Sequence, residues 1–95
     1  MSIKDRLKIR AEIISSNHDF FESSINDVSS IITNSLTKNK KLMFCGNGGS
    51  AAESQHMAAE YCATLNHKNF RSGFAAMSLT VDTSFITAWS NDFGY

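Results

Sequence analysis

The residues able to do chemistry are gathered in one stretch, Cys45-Gly46-Asn47-Gly48-Gly49-Ser50-Ala51-Ala52-Glu53, followed by Gln55-His56-Met57-Ala58-Ala59-Glu60. Gly46, Gly48 and Gly49 let a backbone turn sharply and leave amide groups pointing outward at the start of a following helix. Such amides, with the positive end of the helix dipole, attract an exposed anion by about 0.3–1 kcal/mol, so a phosphate or a sugar hydroxyl is a fitting ligand. Asn47 adds a side chain that both donates and accepts hydrogen bonds. Ser50 with Glu53 has the spacing of a capping box for the helix. His56 and Glu60 are four apart, so on a helix they share one face and could hold one metal ion or work on one substrate. The plainer alternative is a surface pair worth a few tenths of a kcal/mol. Their place on the helix that begins at the anion-attracting turn favours the functional reading.

Gly46-x-Gly48-x-x-Ala51 formally satisfies the dinucleotide-binding fingerprint. That fingerprint also wants an acid about twenty positions further on. Position 71 is arginine and the first acid in that region is Asp82, which argues against a nicotinamide cofactor. Ser50 follows Gly49 directly, so the phosphate loop ending in Gly-Lys-Ser/Thr is absent. Asn91 and Asp92 are further candidates, where the chain could return to the carboxyl edge of the strands; ordinary turn chemistry explains Asn-Asp-Phe-Gly equally well.

Strands and helices must position these groups. Leu42-Met43-Phe44-Cys45 is a continuous apolar run stopped by glycine, the pattern of a strand buried on both faces of a parallel sheet. The pattern predicts a helix from about Ala51 to Leu65, a second strand over Phe74–Leu79, and a short helix through Phe85, Ile86, Ala88 and Trp89 capped by the Asp82 segment. Upstream, Ile3, Leu7, Ala11, Ile14 and Phe21 form one helix stripe, with Ser2 and Asp5 spaced to cap it. Ile25, Val28, Ile32 and Leu36 form another, with Ser24 and Asp27 as its capping box. Ile9, Ile13, Phe20 and Ile31 widen the apolar surface, which fits either an arm packed on another subunit or a wide core face. Residues 1–38 are expected to be this helical arm, and 39–95 the start of an α/β core.

Strand, helix, strand with apolar strands is a right-handed crossover unit of a parallel sheet. Such a sheet needs cover on both faces and usually several more strands, so the chain is expected to be the first half of a domain. Ninety-five residues, 42% hydrophobic and without proline, allow one domain at most. Nine Lys+Arg against nine Asp+Glu leave no basic footprint, so no nucleic-acid partner is expected. The amino terminus lacks the apolar core of a signal peptide and no run approaches the ~18 apolar residues of a membrane span, so the expectation is a cytoplasmic chain without a membrane partner. Cys45 and Cys62 read as small hydrophobes, Trp89, Met43, Met57 and Met77 as core, and His18 and His67 as surface residues.

The stretch Cys45–Glu60, together with Leu79-Thr80-Val81-Asp82-Thr83-Ser84 and Asn91-Asp92-Phe93-Gly94-Tyr95, resembles the amino-terminal half of the phosphoheptose isomerases, a family of sugar isomerase (SIS) domain proteins. The resemblance implies an α/β fold, a SIS-type parallel sheet flanked by helices. It implies conversion of sedoheptulose 7-phosphate to D-glycero-D-manno-heptose 7-phosphate, for surface polysaccharides, by a cytoplasmic homotetramer. It further implies that Asn47, Gly48, Gly49 and Glu60 contact the sugar-phosphate substrate, that Asn91 and Asp92 bind the sugar chain, and that His56 and Glu60 bind zinc. The family's serine and threonine phosphate loop, and its later glutamine and histidine, would lie outside this sequence.

Moving a carbonyl between neighbouring carbons requires a proton to leave one and return to the other through an enediol, and a carboxylate beside C1 is a suitable base. Glu60 is the candidate. A cation near the carbonyl oxygens would stabilise developing negative charge, although base and metal ligand are competing duties for one carboxylate. The sequence departs from the family's pattern in two places. Ala63-Thr64 replaces a glycine-arginine pair, and Phe70-Arg71-Ser72-Gly73 replaces a proline-containing approach to the second strand, with Arg71 a candidate for the missing positive charge. Rival readings are a non-catalytic binding protein of the replication-initiator-associating type, against which Glu60 stands because that relative lacks the carboxylate, and an isomerase for another sugar phosphate.

Overall fold

A computed structural model describes all residues, 1–95. In chain order the elements are helix α1 (Ile3–Ser16), helix α2 (His18–Thr37), strand β1 (Leu42–Phe44), helix α3 (Gly49–Cys62), strand β2 (Ala76–Ser78) and helix α4 (Thr83–Phe93). The order is the expected one and the class is α/β. The chain divides into two compact units, Met1–Thr33 and Asn34–Tyr95.

The first unit is helical. Ser2 caps α1 through the predicted box: its Oγ accepts the Asp5 N–H at 3.1 Å, and Asp5 Oδ2 accepts the Ser2 N–H at 2.9 Å and hydroxyl at 2.7 Å. The bond from the Ser2 hydroxyl, then that from its backbone, holds the Asp5 carboxyl below its ordinary value of 3.8. The helix ends at Asn17, short of Phe21, where the stripe pattern carried it. Ser15 and Ser16 hydroxyls bond back to the Glu12 carbonyl at 3.2 and 2.6 Å, and Asn17 Nδ2 donates to the Ile13 carbonyl at 2.7 Å. The Asn17 carbonyl then accepts the Phe21 N–H at 3.0 Å as α2 begins. Three short polar side chains in a row compete for backbone groups, and this outweighs the apolar spacing. Ser24 and Asp27, expected at a helix start, therefore lie inside α2. No residue of α1 or α2 is buried.

In the second unit, β1 and β2 pair in parallel with Leu42 opposite Ala76, Met43 opposite Met77 and Phe44 opposite Ser78. The Leu42 N–H donates to the Ala75 carbonyl at 2.9 Å, and the Leu79 N–H to the Phe44 carbonyl at 2.8 Å. β2 is shorter than the expected Phe74–Leu79 because β1 offers only three residues to pair with. α3 packs on both strands. Its covered face is made of small residues, Ser54 at 5% exposed and Ala58 at 7%. Small side chains permit close approach, and Gly46 completes the fit: a Cβ there would stand 2.5 Å from the Ser50 carbonyl oxygen. α3 begins and ends earlier than the predicted Ala51–Leu65, and α4 runs on through Asn91 and Asp92.

Ala58 is the one buried apolar residue. Met43, Met57, Met77 and Trp89, expected in a core, are all exposed, and Cys45 and Cys62 are exposed free thiols. Burial on both faces of a parallel sheet needs layers that one helix over two strands does not supply. The accessible surface of 8020 Å² compares with roughly 5400 Å² for a folded monomer of this mass, so these residues enclose no complete core. No helix is long and apolar enough to cross a membrane.

Candidate functional site

The glycine turn leaves the carboxyl end of β1. Gly48 is the N-cap of α3 at φ 58°, ψ −122°, a backbone conformation that disfavours a side chain. Its carbonyl accepts the Ala51 N–H at 3.0 Å, and the Asn47 carbonyl accepts the Ser50 N–H at 3.1 Å. No side chain caps this helix start, so the predicted Ser50–Glu53 box is not formed. Ser50 instead sits within the first turn because the helix begins at Gly49. An uncapped helix start suits an external acceptor.

Asn47 is fixed from a distance. Its Oδ1 accepts the hydroxyl of Tyr95 at 2.5 Å, and Nδ2 is the donor of the same amide. Tyr95 has no separate signal in the sequence, since a contact spanning 48 positions leaves no periodic trace. Thr80 is similarly placed by tertiary structure: its Oγ1 lies 2.6 Å from Ser78 Oγ and accepts from Gln55 Nε2 at 3.3 Å, tying the end of β2 to α3.

His56 and Glu60 do share one face of α3, with His56 Nε2 3.0 Å from Glu60 Oε1. The imidazole is 73% exposed and the carboxylate 30%, so Glu60 is the sheltered member. Glu60 lines a cavity with Met57, Tyr61, Leu65, Arg71 and Phe74, whose walls are largely apolar. His56 faces a second hollow with Ala52, Glu53 and Met57.

The candidate residues do not form one cluster. Gly49 and Glu60 stand at opposite ends of α3, roughly 16 Å apart along its axis at 1.5 Å per residue. Asn91 and Asp92 lie in the last turn of α4, not in a turn beyond it, and Asn91 Nδ2 donates to Asp92 Oδ1 at 3.0 Å. Zinc sites take three or four protein donors. His56 and Glu60 are two, and no group of three metal-binding side chains converges in this chain. These residues alone therefore do not fit a complete zinc site.

Arg71 is committed to structure. Its Nη2 donates to the Glu60 carbonyl at 2.9 Å, and its Nη1 to the carbonyls of Tyr61 at 3.0 Å and Ser72 at 3.1 Å. The guanidinium carbon lies 4.5 Å from the centre of the Phe74 ring. A cation at a helix carboxyl end meets the negative end of the dipole and the unpaired last carbonyls. This gives the Arg71 charge, unplaced by the sequence, a structural position at the end of α3.

A parallel strand pair crossed by a helix, with a glycine turn at the strand's carboxyl end, is the ligand-binding edge of an α/β sheet. The chain belongs to the SIS domain family, whose model matches residues 8–92. It is 52% identical over 71 residues to the phosphoheptose isomerase of Akkermansia muciniphila, a match covering 75% of this chain and 36% of that protein. It is 39% identical over 93 residues to the phosphoheptose isomerase of Geotalea uraniireducens, covering 98% and 48%. Among solved structures, phosphoheptose isomerase GmhA from Neisseria gonorrhoeae superposes with a TM-score of 0.67 at 32% identity, over 98% of this chain and 48% of that one. The SIS-type α/β fold expected from the motif is thus found. The chain spans 36% and 48% of the length of these two curated relatives.

Proposed function

We infer that this chain forms the amino-terminal part of a phosphoheptose isomerase that converts sedoheptulose 7-phosphate to D-glycero-D-manno-heptose 7-phosphate through an enediol. The observation that carries the reading is Glu60, a sheltered carboxylate held by His56 at 3.0 Å on the helix that starts at the glycine turn. The names of the relatives support the same substrate.

Glu60 takes a proton from C1, the electron pair forms the C1–C2 double bond, and the C2 carbonyl oxygen gains a proton. Return of a proton to C2, with loss of the C1 hydroxyl proton, leaves the aldose. His56 orients the Glu60 carboxylate. The Asn47 amide and the backbone at Gly48 and Gly49 bind oxygens of the substrate, and Asn91 and Asp92 bind the sugar chain; with Gly49 and Glu60 roughly 16 Å apart along α3, the glycine turn and Glu60 serve one substrate from different copies of the homotetramer. Zinc belongs to the proposal only with donors added to His56 and Glu60 from outside these residues, and no step is assigned to it. A cytoplasmic homotetramer supplying heptose for lipopolysaccharide or capsule completes the reading.

The test is the intact gene product assayed with sedoheptulose 7-phosphate. Glu60→Gln is expected to lower turnover by about 10²–10⁴-fold, the range for a positioned general base, with the unfolding midpoint unchanged. Full turnover in Glu60→Gln would remove Glu60 as the base. Absence of turnover in the unsubstituted protein would overturn the isomerase reading itself.

A further inference from the structure

We propose that Arg71 is a positioning residue for Glu60, acting through the main chain of the last turn of α3 as His56 acts on the side chain. The proposal deepens the isomerase reading and rests on it for its catalytic consequence. The last carbonyls of a helix have no partners within the helix, and a final turn without partners frays. Glu60 sits in that turn. Arg71 supplies the partners: one nitrogen of its fork takes the Glu60 carbonyl at 2.9 Å and another the Tyr61 carbonyl at 3.0 Å, both bonds being partly buried.

The neighbouring backbone is fastened to the same place. The Phe74 N–H donates to the Tyr61 carbonyl at 2.9 Å, and Cys62 Sγ to the Ala76 carbonyl at 3.1 Å. Gly73 passes so close to Cys62 that a Cβ there would overlap the Cys62 carbonyl. The Phe74 ring backs the guanidinium, 4.5 Å from centroid to carbon. Arg71 and Glu60 also line one cavity. The guanidinium thus fixes where the Glu60 main chain stands relative to β2, while its hydrogen bonds go to carbonyls, not to the carboxylate. A planar fork reaching several carbonyls at once is not reproduced by the point charge of lysine.

The test uses the intact gene product with Arg71→Lys and Arg71→Ala. Displacing a reacting group by about 1 Å costs on the order of 100-fold in rate, so kcat is expected to fall by roughly 10- to 100-fold in both. KM for sedoheptulose 7-phosphate should stay within about twofold, since Arg71 does not touch substrate in this account. Guanidinium ion at millimolar concentration should restore part of the kcat of Arg71→Ala without changing KM. A loss carried mainly by KM would make Arg71 a substrate contact and overturn the proposal, as would full kcat in Arg71→Lys. Loss that follows the unfolded fraction, and that guanidinium does not restore, would reduce it to a general structural role and overturn it equally. Amide exchange at Tyr61, Cys62 and Ala63 gives a reading independent of turnover: it should quicken by about tenfold or more in Arg71→Lys as the last turn loosens. Unchanged exchange there refutes the clamp even where the isomerase reading stands. Quickened exchange in a protein without turnover upholds the clamp while the isomerase reading falls.

Discussion

The two compact units are held together in different ways. In Met1–Thr33, the bonds that cap α1 and close it at Asn17 join residues no more than four apart. In Asn34–Tyr95, Arg71 reaches back 10 residues to Tyr61, Gln55 reaches 25 to Thr80, and Tyr95 reaches 48 to Asn47. All three buried residues, Ser54, Ala58 and Ser78, are in the second unit. The first unit is therefore specified by neighbours along the chain, and the second by the fit of backbone against backbone. Damage to the two should differ in size and in reach.

Among Gly46→Ala, Gly48→Ala, Asp82→Ala and Ser2→Ala, the largest structural effect is expected at Gly46. Gly46→Ala places a methyl group 2.5 Å from a backbone oxygen that cannot swing away, and overpacking of this kind costs about 1–3 kcal/mol or more. Urea unfolding followed by circular dichroism measures it, and a loss under 0.5 kcal/mol would break the contrast between the units. Gly48→Ala meets no neighbour within 4 Å but must hold φ 58°, a backbone strain of about 1–3 kcal/mol. Its loss is expected to fall below that of Gly46→Ala. Asp82→Ala removes the side chain that accepts the Phe85 N–H at 3.0 Å, a cap worth about 1 kcal/mol; the same unfolding curve reports it.

The smallest effect belongs to the first unit. The folded Asp5 carboxyl titrates below 3.8, so its bonds to Ser2 contribute fully above that value and are lost as pH falls through the lowered one. Ser2→Ala removes the hydroxyl bond and keeps the backbone one, so it should raise the Asp5 titration, followed by carboxyl NMR, part of the way toward the ordinary value. It should leave the amides of α3 as protected as before. A change in α3 protection would show that the units are coupled and would undo the comparison.

The same distinction explains what could be read from the sequence. The Ser2–Asp5 cap, the Asp82 cap, the strand run ended by glycine and the His56–Glu60 pair all depend on spacings of a few residues, and each was legible. The parallel pairing of β1 with β2 followed from the strand–helix–strand order. The break at Asn17 was hidden because apolar spacing continued across it while Ser15, Ser16 and Asn17 took the backbone's partners. The places of Arg71, Tyr95 and Thr80 needed tertiary structure, since each acts on a residue far along the chain. Spacing also brought the glycine turn and Glu60 onto one helix without showing that the length of α3 keeps them apart.

The fastening of α3's end to the approach of β2 has a consequence for the order of folding. Tyr61 and Phe74, joined by a backbone hydrogen bond, are separated by a segment little longer than ten residues, and a loop of about ten residues closes in about 10–100 ns. Pairing of Leu42 with Ala76 must close a much longer stretch, at a greater entropic cost. The helix and the second strand are thus expected to meet before the two strands pair with each other.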